Sequence, residues 1–253
     1  MNISIIGGTG GMGKLFGNCF KKQSFKVSVI GRKTPNPSRQ IREADVILIS
    51  VPSHALNFAV KMLCDLDLSG KLIVSLGSCM SADAKKLRVL KGEIAFIHGL
   101  FGPTVTSFAD QNFVVSGDNK NAKLKKLVLA IKKSKGNIFH LTVSEHDKKM
   151  AYIQALSQFS SLVLAGTLSQ SNMKLKELEA LSSITFRMNE DTIKRILTQK
   201  AALWAHIQFE NPYFARVLAK YAQHVDKLRK TIKKKDYEAF EKEFKKSVKF
   251  WSK

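Results

Sequence analysis

The sequence predicts an α/β protein in which a doubly wound, mostly parallel sheet (residues 1–143) is followed by an all-helical domain (residues 144–253). Three observations lead to this fold class. Short apolar runs alternate with amphipathic helical patterns in the first part. A glycine cluster separates the first apolar run from the first helical pattern. Beyond residue 144 the apolar spacing is mainly helical.

Seven runs in the first part predict strands. The run 45–51 is apolar at most positions, which is typical of a parallel strand that is buried on both faces. Helical apolar spacing follows the first, third, fourth and sixth runs. The predicted strands are 3–6, 26–30, 45–51, 71–76, 94–97, 112–116 and 137–141, and the predicted helices are 14–20, 56–63, 82–90 and 122–133.

The second part is predicted to consist of helices that begin at capping residues. Ser144 is predicted to cap the first of them, with Asp147 at the third helical position of a capping box. A further helix is predicted to start at Asn189, and Asn211-Pro212 predicts another helix entry. The tail, residues 218–251, is predicted to be helical, with apolar anchors between Lys- and Glu-rich faces.

Gly8, Gly10 and Gly13 form a G-x-G-x-x-G pattern between a predicted strand and a predicted helix. The first glycine permits the tight turn, the second lets the backbone approach a pyrophosphate, and the third lets the helix pack on the strand. The helix N-terminus then faces the anion. The pattern predicts a Rossmann domain that binds NAD or NADP. The predicted cofactor-binding residues of this turn are Gly8, Thr9, Gly10, Gly11, Met12 and Gly13, joined by Val51 and Pro52 after the third strand.

The second predicted strand ends in Gly31-Arg32-Lys33, without an acidic residue. An acidic residue at this place binds the ribose hydroxyls of NAD, whereas a basic residue accommodates the 2′-phosphate of NADP. Arg32 and Lys33 therefore favour NADP as the cofactor, with NAD as the alternative.

Polar residues follow three of the predicted strands, where ligands bind in open α/β sheets. His98 ends the fifth strand, and glycines after it allow close approach of the backbone. A neutral imidazole with a pKa of about 6.5 suits a general base near neutral pH, so His98 is the candidate catalytic base. Ser78 follows the fourth strand. His54 follows the third strand and is interpreted as structural.

His146 and Arg195 are candidate substrate-binding residues in the second part. His146 is predicted to lie in the first turn of a helix, where the dipole disfavours imidazolium and free N–H groups suit an anion. Arg187 and Arg195 are rare arginines in a lysine-rich chain, and arginine binds a carboxylate bidentately. Because they lie eight residues apart across a predicted helix start, at most one is expected to reach substrate.

A net charge of +22 is compatible with binding to nucleic acid, but the distribution of the charged residues does not favour it. Of the 42 basic residues, 34 are lysines, and they are spread along the chain among glutamates without a DNA- or RNA-binding motif. No apolar run has the length of a membrane span, and the first strand leaves no room for a signal peptide. The three cysteines lack metal or disulfide spacing, which predicts no metal site and a cytoplasmic location.

Together these motifs resemble the prephenate dehydrogenase family, especially the dehydrogenase half of bifunctional chorismate mutase–prephenate dehydrogenases. The stretch EHDKKMAYIQAL is the most specific of them, and the motifs follow the family's order over nearly the whole chain. Many relatives have His-Pro where this chain has His98-Gly99, and an acid where Arg32 stands. Ser75 and Met80 replace the Asp and Lys that commonly flank the serine motif. The matching segments are 5–13, 50–54, 76–78, 98–103, 145–156 and 181–195.

The resemblance implies oxidative decarboxylation of prephenate to 4-hydroxyphenylpyruvate in tyrosine biosynthesis. His98 matches the catalytic histidine that accepts the proton of the ring 4-hydroxyl, and Ser78 matches a serine that hydrogen-bonds around that hydroxyl and the nicotinamide. Arg195 matches an arginine that binds a prephenate carboxylate, and His146 matches a histidine that lines the substrate pocket. The resemblance also implies a homodimer built by the helical domain, and no chorismate mutase activity is expected.

Three alternatives stay open. The substrate of the first is arogenate, which has an amino group where prephenate has a keto group. The second is another NADP-dependent oxidoreductase, because the glycine loop with Gly31-Arg32 is also similar to deazaflavin-dependent NADP reductases; it leaves residues 145–156 unexplained. The third is a non-catalytic basic binding protein on a retained dehydrogenase fold.

Overall fold

The first part of the chain folds around one sheet. The computed structural model describes residues 1–252. Its strands are β1 (Asn2–Ile6), β2 (Lys26–Ile30), β3 (Val46–Ile49), β4 (Leu72–Ser75), β5 (Glu93–Gly99), β6 (Asn112–Ser116) and β7 (Asn137–His140). Within these residues they form a seven-stranded sheet in the order β2-β1-β3-β4-β5-β6-β7. All neighbours are parallel except β5 and β6. The predicted α/β fold with a mostly parallel sheet is confirmed.

The reversal between β5 and β6 follows from their connection. The chain passes from Gly99 to Asn112 through an irregular loop without a helix. Parallel neighbours need a long crossover, usually helical, whereas antiparallel neighbours do not. In this pairing His98 lies opposite Val114.

Helices cover both faces of the sheet. They are α1 (Gly11–Lys22), α2 (Pro37–Arg42), α3 (Leu56–Cys64), α4 (Met80–Leu87) and α5 (Ala122–Lys133). In β3, Val46 and Leu48 pack in the core that includes Phe16, whereas Ile47 and Ile49 pack in the core on the other face. Successive side chains of a strand point to opposite faces, so this apolar run is buried on both, as predicted.

The chain is helical from residue 143 onward. The helices are α6 (Val143–Met150), a π-helical segment (Ala151–Leu156), α7 (Ser157–Ser169), α8 (Leu175–Ala180), α9 (Ile184–Leu197), α10 (Ala201–Glu210), α11 (Phe214–Lys234) and α12 (Tyr237–Trp251). Their core is small and centres on Ala151, Ala155, Ile207, Phe214 and Val217. The domain division after residue 143 stays a prediction. Among the helices of residues 1–252, none combines the length and the apolar character needed to cross a bilayer.

The helix that Ser144 is predicted to cap begins two residues earlier than predicted. Thr142, not Ser144, is the N-cap: its Oγ1 accepts from Glu145 N at 3.2 Å, and Glu145 Oε2 accepts from Thr142 N at 2.9 Å. A Glu at the third helical position reaches back to the N-cap amide, which explains why Thr142 and Glu145 form the capping box instead of Ser144 and Asp147. The main-chain N–H of His146 consequently donates to Thr142 O at 2.9 Å.

Of two further predicted helix starts, the one at Asn189 is wrong and the one at Asn211-Pro212 is displaced. Asn189 lies inside α9, which is capped by Ser183 through a hydrogen bond from Phe186 N at 3.2 Å. Asn211 is the C-cap of α10 and its Oδ1 accepts from Tyr213 N at 2.9 Å, while the next helix, α11, begins three residues later at Phe214. Sequence alone offers several capping residues in each of these regions, and packing selects among them.

The predicted helical tail is divided into two helices. Lys235 takes a left-handed φ of 54° and ends α11, and Asp236 Oδ1 accepts from Ala239 N at 2.9 Å to cap α12. Glu243 on α12 bonds Lys227 on α11 at 2.6 Å, which joins the two helices.

Candidate active site

The carboxyl ends of four neighbouring strands form one edge of the sheet. β1, β3, β4 and β5 run parallel to one another, so the residues that follow them lie along the same edge. Across this edge come the glycine loop, Val51, Ser78 and His98. The fold thus brings the predicted site residues of the first part to the place where open α/β sheets bind ligands.

The glycine loop has no room for side chains at its turn. Gly7 has a φ of 80°, and a Cβ there would clash with Ser50 O and lie 2.9 Å from Val51 Cγ1. A Cβ on Gly13 would lie 2.6 Å from Gly7 O, so the helix packs closer to β1 than a larger residue allows. No side chain caps α1, which leaves first-turn N–H groups for an anion. This cradle fits the pyrophosphate of a dinucleotide.

The end of β2 lies against the glycine loop. A Cβ on Gly31 would lie 2.8 Å from Thr9 Cγ2, and Gly31 N donates to Thr34 Oγ1 at 2.8 Å. The next two side chains, Arg32 and Lys33, are exposed. Two positively charged side chains therefore lie beside the turn where the ribose of a dinucleotide binds in this fold.

The loop after β5 also reaches the glycine loop. A Cβ on Gly11 would lie 2.5 Å from Pro103 Cβ, so Pro103 packs on the first turn of α1. At the other end of the loop, a Cβ on Gly99 would lie 2.6 Å from Phe101 Cζ. These close approaches hold the loop that follows His98 next to the nucleotide cradle.

His98, His146 and Asp147 form a chain of hydrogen bonds. His98 is 4% exposed, and its Nδ1 lies 2.9 Å from His146 Nε2. The second ring nitrogen of His146, Nδ1, lies 2.7 Å from Asp147 Oδ1. The other ring nitrogen of His98, Nε2, takes no part in these hydrogen bonds.

Asp147 is anchored on the N-terminus of α4. Its Oδ1 accepts from Met80 N at 3.2 Å and its Oδ2 accepts from Ser81 N at 2.9 Å. Its main-chain carbonyl accepts from Asn211 Nδ2 at 2.9 Å. Because a helix N-terminus stabilises negative charge, these bonds favour the carboxylate form. Asp147 thus connects α4 of the sheet part with α6 and the end of α10.

Burial and hydrogen bonding determine which of these hydrogen-bonded side chains are charged. Burial lowers the pKa of His98 to about 3; the neighbouring His146 lowers it further, and Asp147 opposes the shift. Burial alone would raise the pKa of Asp147, but the hydrogen bonds from His146 and Ser81 hold it below its usual value. Near neutral pH the free protein therefore holds a neutral His98 and a charged Asp147.

The structure does not support the predicted contact between His146 and substrate. His146 is 0% exposed, and both of its ring nitrogens are hydrogen-bonded within the protein. Its main-chain N–H is not free for an anion either, because the helix begins at Val143. His146 lies behind His98 and contacts that imidazole instead.

Arg187 and Arg195 lie on one helix, α9, and not across a helix start. Eight residues correspond to about 80° around an α-helix, so the two exposed side chains leave from neighbouring faces. Arg187 Nε donates to Ser182 Oγ at 2.9 Å. For the Arg195 guanidinium, residues 1–252 provide no ion-pair partner. The helix packs on α7, and no hydrogen bond joins Arg195 to the His98 chain within the same residues.

Ser78 and Cys79 lie between β4 and α4. Ser78 is half-buried in a bend. The Cys79 thiol is fully buried, and burial, followed by the nearby carboxylates Asp147, Asp83 and Glu210, raises its pKa. A buried thiol of this kind is unreactive.

Sequence reasoning missed two buried carboxylates near the site. Asp147 is predicted only as a helix-capping residue, although its position directly after His146 could have suggested a pair. Asp83 carries no sequence signal, yet it is 3% exposed and its Oδ2 accepts from Ser75 Oγ at 2.5 Å. Both contacts depend on the packing of α4 and are not encoded in any local spacing.

Known proteins are similar to this chain over most of its length. Residues 142–246 match the family model described as prephenate dehydrogenase, dimerization domain. The chain is 26% identical over 270 residues to a “Probable arogenate/prephenate dehydrogenase” of Methanocaldococcus jannaschii, covering 98% of this chain and 60% of that protein. It is 29% identical over 240 residues to the T-protein of Haemophilus influenzae, covering 94% and 64%. The chain is thus similar to the prephenate dehydrogenase family over nearly its whole length, and its residues 142–246 match that family's dimerization-domain model. It spans about 60% of the length of the curated relatives that it matches.

Solved structures show a similar fold over the full chain. Synechocystis arogenate dehydrogenase superposes with a TM-score of 0.75 at 17% identity, covering 100% of this chain and 99% of that one. Prephenate dehydrogenase from Aquifex aeolicus, in complex with hydroxyphenyl propionate and NAD+, superposes with a TM-score of 0.71 at 15% identity, covering 100% and 98%. The arrangement of sheet and helices is thus that of these dehydrogenases.

Proposed function

We propose that this chain catalyses the oxidative decarboxylation of prephenate to 4-hydroxyphenylpyruvate with NAD(P)+. The observation that carries the proposal is the buried His98–His146–Asp147 chain on the sheet edge that also holds the glycine loop. The relatives' names support the same reaction class. The Aquifex aeolicus protein binds a dinucleotide together with a hydroxyphenyl acid, which resembles the proposed product.

The hydrogen-bond chain selects the ring nitrogen that acts as base. The Asp147 carboxylate can only accept, so it fixes the proton of neutral His146 on Nδ1. His146 Nε2 is then an acceptor and takes a hydrogen bond from His98 Nδ1. His98 Nε2 is left unprotonated, with its lone pair available to a substrate hydroxyl. His146 and Asp147 are thereby positioning residues, and His98 is the catalytic base.

In the proposed reaction the substrate loses a proton, a hydride and CO2. Bound NAD(P)+ supplies the hydride acceptor. His98 Nε2 takes the proton of the ring 4-hydroxyl as the C4–H bond breaks, and Ser78 hydrogen-bonds around the same hydroxyl. Loss of CO2 leaves its electron pair in the ring and makes it aromatic. The positive charge that forms on His98 is stabilised through His146 by the Asp147 carboxylate, so the protein mainly orients the substrate and accepts one proton.

Arg195 is proposed to bind a substrate carboxylate. Its guanidinium is exposed, and the residues described by the structure offer it no acidic partner. The neighbouring Lys194, in contrast, is paired with Glu190 at 2.5 Å and Glu179 at 3.1 Å. The two glutamates are therefore already paired with Lys194, and the Arg195 guanidinium is left to bind a carboxylate bidentately.

NADP is the proposed cofactor, in preference to NAD. The exposed side chains of Arg32 and Lys33 follow the turn that packs on Thr9, where a 2′-phosphate would lie.

The helical part is proposed to form a homodimer. The family model that matches residues 142–246 is that of a dimerization domain. Large apolar side chains of this part are exposed on α7 and on α9 to α12, among them Leu162, Ile184, Met188, Phe209, Tyr237, Phe244 and Trp251. Large apolar side chains exposed in such number suit a protein interface. Sedimentation at micromolar concentration should give twice the chain mass; a monomer would contradict the proposal.

An absorbance assay at the reduced-nicotinamide band tests the reaction. Prephenate and arogenate are each combined with NADP+ and NAD+, using the purified chain. Turnover of prephenate with NADP+ is expected to be fastest. Faster turnover of arogenate would establish the second candidate, arogenate dehydrogenase, which is the activity in the name of the Synechocystis protein and one of the two in the name of the Methanocaldococcus relative. Absence of turnover in all four combinations would overturn both.

A further inference from the structure

A second buried carboxylate supports the turn that carries Ser78. Asp83, on α4, accepts a hydrogen bond from Ser75 Oγ at 2.5 Å. Ser75 Oγ in turn accepts from Gly77 N at 3.1 Å. The carboxylate also packs directly on Gly77, where a Cβ would clash with Asp83 Oδ2. Ser75 Oγ and the Asp83 carboxylate thus fix Gly77, the residue immediately before Ser78.

The first turns of α4 support both halves of the proposed site. Met80 N and Ser81 N bind the Asp147 carboxylate that orients His146 and His98. One turn further on, Asp83 binds Ser75 and reaches Gly77. The base and the serine are therefore both positioned from one helix end.

We propose that Asp83 is a positioning residue for the reaction: through Ser75 and Gly77 it holds Ser78 in place at the sheet edge. This inference rests on the proposed function, since it assigns Ser78 a place beside the reacting hydroxyl. No direct contact of Asp83 with substrate or cofactor is involved.

The hydrogen bond from Ser75 depends on the charge of Asp83. A hydroxyl bonds a carboxylate about twice as strongly as it bonds a neutral acceptor. Burial raises the pKa of Asp83 to about 6, and the Asp147 carboxylate on α6 raises it too; Ser75 on β4 and Lys86 on α4 oppose the shift. Asp83 therefore changes its charge within the working pH range, whereas His98 stays neutral above pH 5 because its pKa is about 3.

Three proteins compared across pH 5 to 9 test the proposal: wild type, Asp83→Asn and Asp83→Ala. Wild-type kcat should rise with a midpoint near pH 6. Asp83→Asn, a neutral acceptor at every pH, should show no such rise, be about threefold to tenfold slower at pH 8 and match wild type at pH 5. Asp83→Ala should be about 10- to 100-fold slower at pH 8, with the dissociation constant for NADP+ changed less than twofold.

The thermal stability of the same proteins separates positioning from a merely structural role. A carboxyl with a raised folded-state pKa binds its proton more tightly in the folded chain, so its contribution to stability is present at low pH and is lost as pH rises through 6. Asp83→Asn should thus melt at or above the wild-type temperature at pH 8 while turning over more slowly. Ala130→Gly, which weakens α5, a helix outside the proposed site, by about 1 kcal/mol, is the control and should lower the melting temperature with kcat unchanged.

A readout independent of turnover keeps this proposal distinct from the proposed function. The Gly77 amide signal of the 15N-labelled protein should shift with a midpoint near pH 6 in wild type and not in Asp83→Asn. A wild type without turnover but with this shift would refute the dehydrogenase function alone. Three results would each overturn the role of Asp83. The first is a Gly77 amide signal in wild type that does not shift near pH 6. The others are a fall in kcat below pH 6 that persists in Asp83→Asn, and a kcat of Asp83→Ala within twofold of wild type. If Asp83→Ala does not fold, the Asp83→Asn comparison decides.

Discussion

The sheet part and the helical part of the chain differ in how fully they bury their apolar side chains. Each face of the sheet has its own extensive core, in which residues such as Phe16 and Ile47 are completely buried. The helical part has one small core and leaves side chains such as Phe209 and Trp251 82% exposed. The helical part thus leaves much more apolar surface for another protein surface to cover, as the proposed homodimer requires.

The site draws on both parts in an unequal way. His98 and Ser78 come from the sheet edge, and the helical part supplies His146 and Asp147 as support and Arg195 as the proposed carboxylate ligand. Substitutions in each part should therefore affect different steps. The following tests separate chemistry at the sheet edge, support across the boundary and binding from the helices.

The largest effect is expected at the sheet edge itself. His98→Asn should lower kcat by about 10²–10⁴-fold, because the general base is lost, while substrate and cofactor dissociation constants stay close to wild type. Initial rates and equilibrium titrations on the same preparation measure the two quantities. Near-normal turnover would remove His98 from the role of base.

The next largest effect is expected where the helical part supports the base. In Asp147→Asn the amide can face His146 Nδ1 with its NH2 group, which favours the His146 tautomer protonated on Nε2 and leaves His98 Nε2 protonated. The same exchange in a serine-protease triad costs about 10⁴-fold, and through one additional imidazole we expect about 10²-fold in kcat. Steady-state kinetics together with circular dichroism measure activity and fold. A correctly folded variant with wild-type kcat would show that the chain of hydrogen bonds has no catalytic role.

A smaller effect, on binding, is expected in α9. Arg195→Gln should raise KM for prephenate about tenfold to 100-fold, since a charge-assisted hydrogen bond contributes about 1.5–3 kcal/mol, with a smaller change in kcat. Arg187→Gln, on the same helix but bonded to Ser182, is the matched control. Equal KM values for the two variants would count against Arg195 as the carboxylate ligand.

The smallest effect is expected at the far end of the nucleotide cradle. Arg32→Ala should reduce the preference for NADP+ over NAD+, measured as the ratio of kcat/KM values, by about tenfold, because one charged contact to the 2′-phosphate is lost. Lys26→Ala, at the opposite end of β2, should leave the ratio unchanged. A wild-type ratio in favour of NAD+ would contradict the proposed cofactor preference before any substitution is made.

The sequence predicts the sheet better than it predicts the helix ends or the site contacts. The seven predicted runs correspond to the seven strands found in residues 1–252. The runs are clearest for inner strands such as β3 and β4, because strands buried on both faces need continuous apolar residues. Helix starts are less certain, since Ser144 and Thr142 are both good caps and only the position of Glu145 decides between them. The contact between His98 and His146 joins residues 48 positions apart and depends on α6 packing beside β5. No local pattern contains that information.

The three thiols differ in accessibility, and this has a practical use. Cys64 is exposed at the end of α3, Cys79 is completely enclosed, and Cys19 is partly covered, with burial raising its pKa. A maleimide dye should therefore attach first at Cys64 on the unmodified protein. In the proposed homodimer this places one fluorophore on each subunit, so energy transfer between two dyes would report subunit exchange without any engineered cysteine.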